Sequence, residues 1–530
     1  MDPVIVVGAG PVGLALSLAL AQQGVPSVVL DESSGDEEPR PARTVVLRPD
    51  TAAMVERLGC ATVRDEGARW AGWRSLRRKQ EVRRVALAED TTPSPLHIPQ
   101  HALTRGLRQA VLAEELINLV TESHVDSLEQ DAGGVIVHTR DPDATWWRGS
   151  HVVGCDGARS TVRKLLGVRF PGRTAVERHA VAVLRTELPR PDEALLHRQP
   201  PWRGAGEEIT ARPLPDDVWR LDWLLPPSGE LVTPDSLVAR VRDTLAGWCG
   251  ETPPYDLIDT GVHTVHHRLA RRWRVGRVFL AGDAAHLVGA VGTQGLDEGL
   301  RDTDNLAWKL AHGWHHGGAD ALLDSYQEER RTAVAARLRT ADQALPALRG
   351  GVLRNRLPRA TRGHDALLAD GHLGLGPLGA PPVYAYSPLT PEYDPSQVLV
   401  GTEAGAPVSD VRVTAPDGAG ALLRDRLGRG RLLVLLVAPG TGVWDRRHWQ
   451  SAGVMPRLAD AVSALPVRAE LLVTESYPGA AAHTVLMVRP DGHLVASFAG
   501  VRPAELYEAA DAVRGGMVPA TASDSTAEVN

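Results

Sequence analysis

The stretch VIVVGAGPVGLALSLALAQQGVPSVVLDE, Val4 to Glu32, restricts the possible folds of this chain more than any other. Val4 to Val7 is a short apolar run of strand character, and Gly8, Gly10 and Gly13 follow it in GxGxxG spacing, with Pro11 and Val12 inside the turn. An apolar helix comes next, and a second strand, Ser27 to Leu30, ends at Asp31. Glycines at this spacing allow a tight turn, close approach of a pyrophosphate and close packing of helix on strand, while an acid about twenty residues on meets a ribose hydroxyl. Strand, glycines, helix and acid in this order predict an α/β dinucleotide-binding unit. Asp31 has better spacing for the ribose than its neighbour Glu32.

A second constellation lies at residues 277 to 311, RVFLAGDAAHLVGAVGTQGLDEGLRDTDNLAWKLA. Arg277 to Ala281 reads as a buried strand that ends at Gly282-Asp283, where a carboxylate can meet a ligand hydroxyl. Gly289, Gly292 and Gly295 leave the backbone free to approach something flat, and a helix from Asp297 points its positive end back at the loop. A third element, HVVGCDGARSTVRKLLGV, places Asp156 and Gly157 between a strand and a helix start. Earlier, Gln100 precedes a helix, and strands are predicted at Leu119 to Leu128 and Gly134 to Arg140. Arg43 and Arg48 lie near the expected phosphate position.

The length of 530 residues predicts two to four domains, and a net charge of -7 with 43% hydrophobic residues describes a soluble chain with ample core. Cys60, Cys155 and Cys249 are too few and too scattered for a disulfide framework or a CxxC pair, which fits a reducing cytoplasm. No signal peptide and no run of the roughly 18 to 20 apolar residues of a membrane span is expected. Arg69 to Arg84 carries seven Lys/Arg and two Trp. The chain as a whole is acidic and shows no nucleic-acid module, and a basic strand pair beside a cofactor site can equally receive the phosphates of a second nucleotide. His263, His266 and His267, like His312, His315 and His316, lack a Cys or carboxylate to complete a ligand set, and no metal is expected.

The order GxGxxG, DGxxS and GDAAH with DxxNLAWKLA resembles the flavin-dependent aromatic hydroxylases of the p-hydroxybenzoate hydroxylase and phenol hydroxylase type, and most of all the bacterial hydroxylases of aromatic polyketides. The resemblance implies that Gly8, Gly10, Pro11, Val12 and Gly13 cradle the FAD pyrophosphate and that Asp31, or Glu32, binds the adenosine ribose. It implies that Arg43 and Gln100 contact the phosphates and ribityl region, with the Val125 backbone near the adenine. It further implies that Asp156 and Gly157 serve FAD and NAD(P)H, that Asp283 holds the ribityl chain, and that Gly292, Thr293, Gln294, Gly295 and Leu296 face the flavin ring. The family usually carries two prolines where this chain has Gly289-Ala290, and a glycine where Thr293 stands. That departure predicts a looser, roomier loop suited to a bulky substrate.

Residues 171 to 276 alternate like strands (HAVAVLRTEL, EEITARPL, VWRLDWLLPP) and form the expected substrate sheet. Trp202, Trp219 and Trp223 are candidates for stacking on a polycyclic ring, and equally candidates for core. The expected architecture is α/β: a discontinuous Rossmann-like FAD domain (1–72, 99–170, 266–346), an inserted β-rich substrate domain (73–98, 171–265), a connection at 347–397, a thioredoxin-like domain at 398–516 without CxxC, and a disordered tail at 517–530. The resemblance implies hydroxylation of a phenolic or quinonoid polycyclic polyketide with NADPH or NADH and O2, through a flavin C4a-hydroperoxide. A Baeyer-Villiger or other rearrangement, or a non-catalytic flavin-binding assembly protein, stands as the alternative. No catalytic base is assigned, neither nucleic acid nor a membrane is expected as a partner, and a homodimer is left open.

Overall fold

The computed structural model describes residues 1–35, 38–88, 93–140, 145–202, 207–225, 232–289, 294–317, 319–349, 366, 368–391, 397–440 and 453–516. Contacts divide the chain into two compact units, Met1–Ala307 with Arg330–Pro381, and Trp308–Glu329 with Pro382–Asn530.

The first unit is built on a six-stranded sheet in the order Arg274–Val275, Val278–Leu280, His151–Gly154, Val4–Val7, Ser27–Leu30 and Ile117–Val120. Its strands are parallel apart from the first pair. Val4–Val7 is buried at every position, as a strand covered on both faces must be. The parallel order brings three chain turns to one edge of the sheet: the glycine turn after Val7, Cys155 after Gly154, and Gly282 after Leu280. Ligands of open α/β sheets bind beyond these carboxyl ends.

The expected single strand Leu119 to Leu128 divides in two. Ile117–Val120 joins the parallel sheet, whereas Val125–Gln130 pairs with Val135–Thr139 in a separate three-stranded sheet. The break has a local cause: Glu122 takes a positive φ of 57°, and the Ser123 N–H turns back to the Asp31 carbonyl at 2.8 Å. A run of apolar alternation carries no mark of such a turn.

An eight-stranded sheet forms the second layer, in the order His286–Leu287, Asp256–Leu269, Gly172–Arg185, Val218–Leu225, Glu208–Pro213, Glu193–Arg198, Gly72–Arg77 and Gln80–Ala86. The basic segment thus becomes a hairpin at the edge of this sheet. Alternation assigns the two faces of its central strands. Trp219, Leu221, Trp223 and Leu225 pack with Leu237, Val241 and Leu245 of the helix Pro234–Cys249. Thr233 caps that helix, accepting from the Ser236 N–H at 3.2 Å.

The second unit holds a six-stranded sheet in the order Gly420–Leu422, Arg412–Thr414, Ala469–Thr474, Leu432–Val437, Thr484–Val488 and Leu494–Ala499. Leu432, Val434 and Leu436 face the helices Met455–Ser463 and Pro503–Val513, while Leu433, Leu435 and Val437 enter a second cluster on the other face. Residues 308–329 belong to this unit and not to the first, which differs from the expected FAD-domain segment 266–346. The reason is a buried ion cluster: Glu329 accepts from Lys309 Nζ at 2.7 Å and from Arg489 Nη1 at 2.6 Å, and Arg489 is shared with Asp491. The tail from 517 and all of 350–365 lie outside the described residues.

Candidate functional site

The glycine turn is made by the backbone. A Cβ on Gly13 would lie 2.0 Å from the Gly8 carbonyl oxygen, and Gly8, at φ 105°, would meet the Cys155 carbonyl at 2.6 Å. Both positions therefore exclude a side chain. At Gly10 a Cβ would meet nothing within 4 Å, so this is where the turn opens. The helix Pro11–Ala21 begins there with proline in its first turn, no side-chain cap and no acid, which leaves its N-terminal N–H groups and positive dipole end to an anion. Asp31 closes the turn by accepting from the Ala9 and Ser33 N–H groups. Glu32 turns outward to His124, 3.1 Å away. Val125 is buried two residues beyond Ser123, whose N–H is tied to Asp31.

The GD turn depends on ions buried behind it. Asp302 accepts from the Gly282 N–H at 2.9 Å, from His286 Nε2 at 2.8 Å and from Arg330 Nε at 2.9 Å, and it is fully buried. Arg330 and Arg301 also hold Glu298, whose carboxyl burial alone would raise but which Arg337, Arg301 and Arg330 hold well below the usual carboxylate range. Arg163 joins this turn to the DG turn, donating to the Ala284 and Ala158 carbonyls at 2.9 Å each. The Asp283 carboxylate then opens on the cleft and makes no hydrogen bond to described residues. Water reaches it, yet the surrounding protein raises its carboxyl above the ordinary value, with His286 opposing. A carboxylate held in this way beside a glycine turn and a bare helix end fits a ligand with hydroxyls and phosphates.

The cleft, about 490 Å³, is lined by Gly10, Gln100, Gly157 and Asp283 from the first layer and by Thr210, Arg212, Arg220 and Asp222 from the sheet. Arg220 grips Asp222 bidentately through Nε at 2.9 Å and Nη2 at 2.7 Å, and Arg212 Nη1 reaches the same carboxylate at 2.8 Å. Burial alone would raise the Asp222 carboxyl, but Arg220 and then Arg212 overcome it and hold it well below the carboxylate range. Glu208 lines the same wall but is paired with Arg198 at 3.7 Å, so Arg212 and Arg220 against Asp222 leave a net positive charge there. Arg220 Nη1 also donates to Thr44 Oγ1 at 3.0 Å, and Thr44 bonds His97 Nε2 at 2.7 Å. Burial, with Arg212 nearby, lowers the His97 pKa to about 3, so the imidazole is neutral. His179 and His263 stack at the margin with ring centroids 5.1 Å apart.

Of the sequence candidates, Gly10, Pro11, Val12, Gln100, Gly157, Asp283, Gly295 and Leu296 come together in this cleft. Arg43 is exposed, and its carbonyl accepts from the Gln100 N–H at 2.9 Å. Asp156 accepts from Ser160 Oγ at 2.6 Å and from the Val162 N–H at 3.0 Å within its own turn. Gly292 and Thr293 lie outside the described residues, as do Ala290 and the side chain of Gln294. The tryptophans are not at the cleft. Trp223 is core, donating to Thr244 Oγ1 at 3.1 Å, and Trp202 and Trp219 line a different cavity. Strand period two forces this, since Trp219 and Trp223 share a face with Leu221 while Arg220 and Asp222 take the other. The missed residues had a signal in that same alternation: TAR and RLD place polar side chains at every second position of strands with a continuous apolar face. Among the described residues no group of three His, Cys, Asp or Glu is placed to hold a metal, and no helix is long and apolar enough to cross a membrane.

Residues 1–341 match the family model described as FAD binding domain. The chain is 30% identical over 531 residues to the 12-dehydrotetracycline 5-monooxygenase/anhydrotetracycline 6-monooxygenase of Streptomyces rimosus, covering 93% of this chain and 94% of that protein. It is also 30% identical over 352 residues to a 3-(3-hydroxy-phenyl)propionate/3-hydroxycinnamic acid hydroxylase of Paraburkholderia xenovorans, where the match covers 64% of this chain and only 54% of that protein, about half its length. Among solved structures, the flavin-dependent monooxygenase PieE in complex with FAD and substrate is similar with a TM-score of 0.75, 22% identity and coverage of 97% of this chain and 98% of that one, a likeness of fold.

Proposed function

The chain belongs to the FAD binding domain family, and on that premise we propose that it is an FAD-dependent monooxygenase that hydroxylates a phenolic or quinonoid ring of a polycyclic aromatic polyketide, using NAD(P)H and O2. The observation that carries this reading is the pairing, across one cleft, of an Asp283 carboxylate that has no hydrogen-bond partner among the described residues with the net-positive wall of Arg212, Asp222 and Arg220. In this reading the Gly8 to Gly13 turn and the Pro11–Ala21 helix end hold the pyrophosphate, Asp31 the ribose, and Asp283 with Gln100 the ribityl chain. Bound FAD supplies the redox and oxygen-transfer chemistry, which is the cofactor's own. The residues of this chain position the ring, shield it from water and stabilise charge.

Arg212 and Arg220 favour an anionic phenol oxygen facing them, and an electron-rich phenolate is the better nucleophile. Asp222 keeps the two guanidinium groups together and their charge from exceeding what a single oxygen anion offsets. The thioredoxin-like reading of the second unit rests on its strand order and flanking helices, and with Cys60, Cys155 and Cys249 as the only cysteines of the chain it is assigned no thiol redox role.

The test is direct. The purified protein is expected to carry a flavin spectrum and to oxidise NAD(P)H faster when polycyclic phenols are added, with a ring-intact product heavier by one oxygen. Asp283→Ala is expected to weaken FAD retention roughly ten- to a hundredfold, the loss of a charge-assisted hydrogen bond. Bound FAD without NAD(P)H oxidation on any phenol sinks the enzymatic reading, and a ring-expanded product moves it to Baeyer-Villiger chemistry.

A further inference from the structure

The eight-stranded sheet has a second cavity, about 590 Å³, on the face opposite the cleft. Leu195, Ala211 and Trp219 form a buried apolar floor. Trp202, Trp248 and His197 surround it: the His197 ring meets Trp202 edge-on at 5.2 Å and lies 18° from parallel to Trp248 at 6.4 Å. These rings are fixed. His197 Nε2 lies 2.7 Å from the Arg78 carbonyl and Nδ1 accepts from the Trp248 indole N–H at 2.9 Å, so the proton sits on Nε2 and the imidazole is neutral, in line with burial lowering its pKa. Trp202 rests on Gly247 of the Pro234–Cys249 helix, where a Cβ would come within 2.4 Å of the indole. Its own indole N–H is shielded from water and has no partner among the described residues.

The rim is basic. Arg74 and Arg190 share Glu193, at 3.1 Å and 4.0 Å. Arg78 and Lys79, the exposed two-residue turn between Gly72–Arg77 and Gln80–Ala86, line the same cavity and have no carboxylate partner among the described residues. Packing alone accounts for buried tryptophans; it does not account for a volume of ligand size among them with cations at its mouth that have no carboxylate partner among the described residues.

We propose that this cavity binds a planar aromatic anion, its rings against Trp202 and Trp248 and its carboxylate or phosphate at Arg78 and Lys79. Aromatic contact supplies area and orientation, and the cations supply the charge-assisted hydrogen bonds that choose an acid over a neutral ring. An adenine nucleotide and an aromatic carboxylic acid share this chemistry, and the site is independent of whether the cleft performs oxygenation.

Isothermal titration calorimetry of the full-length FAD-loaded protein with adenosine 2′,5′-bisphosphate and, separately, anthraquinone-2-carboxylate tests it. At least one probe is expected to bind, and the one that binds identifies the source. The double variant Arg78→Glu/Lys79→Glu, which changes two exposed side chains and keeps the backbone hydrogen bonds of Arg78, is expected to weaken that probe at least about tenfold with flavin content unchanged. Gly247→Ala, which displaces Trp202, is expected to weaken the same probe. Binding of neither probe, or an affinity that the charge reversal leaves unchanged, overturns the proposal.

Discussion

The strand Val218–Leu225 presents two unlike surfaces. One carries Trp219, Leu221, Trp223 and Leu225 against the helix Pro234–Cys249; the other carries Arg220 and Asp222 toward the cleft, both almost wholly buried. The large aromatic residues look like the binding residues and the ions look like surface, yet the placement is the reverse. The aromatic face is mostly a packing device, worth about 25 cal/mol for each Å² removed from water. On the ionic face, charge is kept out of water because each member has a partner. Buried ions of this kind contribute little net stability, but removing one leaves the others uncompensated.

This contrast can be broken most forcefully at Asp222. Asp222→Ala leaves Arg212 and Arg220 buried without their anion and is expected to lower stability by about 3 to 5 kcal/mol, read as a fall in the urea midpoint. A shift within about 0.5 kcal/mol would mean that water, and not Asp222, neutralises the wall.

A smaller effect is expected from His97, which braces the same wall through Thr44. Its folded pKa, about 3, lies below the ordinary 6.5, so the unfolded chain takes up the proton first. Stability from this group is therefore complete above pH 6.5 and is lost as the pH falls toward 3, approaching about 1.4 kcal/mol per unit. The stability gap between the native protein and His97→Gln, followed by urea unfolding from pH 6.5 to 4.5, should narrow at that rate. A gap constant with pH removes His97 from the account.

The smallest change belongs to the aromatic face. Trp223→Phe leaves Thr244 Oγ1 without its donor and is expected to cost about 1 kcal/mol, with KM for the aromatic substrate and the flavin spectrum unchanged. If KM moves more than the melting temperature, Trp223 reaches the cleft and the division of the strand into two faces fails.

How much of this was legible in the sequence depends on what each part is made from. The glycine turn is backbone, and backbone sites need particular residues: nothing but glycine fits at Gly8 and Gly13, so the spacing announces the turn. Asp283 is legible for the same reason, since it follows a buried strand and a φ of 60° at Gly282. The wall of Arg212, Arg220 and Asp222 is built from side chains of one antiparallel pair, Glu208–Pro213 and Val218–Leu225, in which Arg212 lies opposite Arg220, and charged residues at every second position also describe a solvated face. What separates the two cases is the layer lying over that face, which is a property of the fold. The Glu122 turn hid for a related reason, because a non-glycine residue at positive φ leaves no compositional trace.

The ion cluster of Lys309, Glu329, Arg489 and Asp491 limits how genes for such chains can recombine. Its members come from two stretches, Trp308–Glu329 and Pro382–Asn530, separated by residues of the other unit. A crossover after Pro381 that joined the downstream stretch to a foreign N-terminal half would bring Arg489 without the Glu329 it was selected beside, and a buried guanidinium with half its counter-charge is a costly inheritance. The C-terminal sheet is thus not a cassette. It can be exchanged between lineages only along with the upstream helix, or where the donor and the recipient already carry the same four charges.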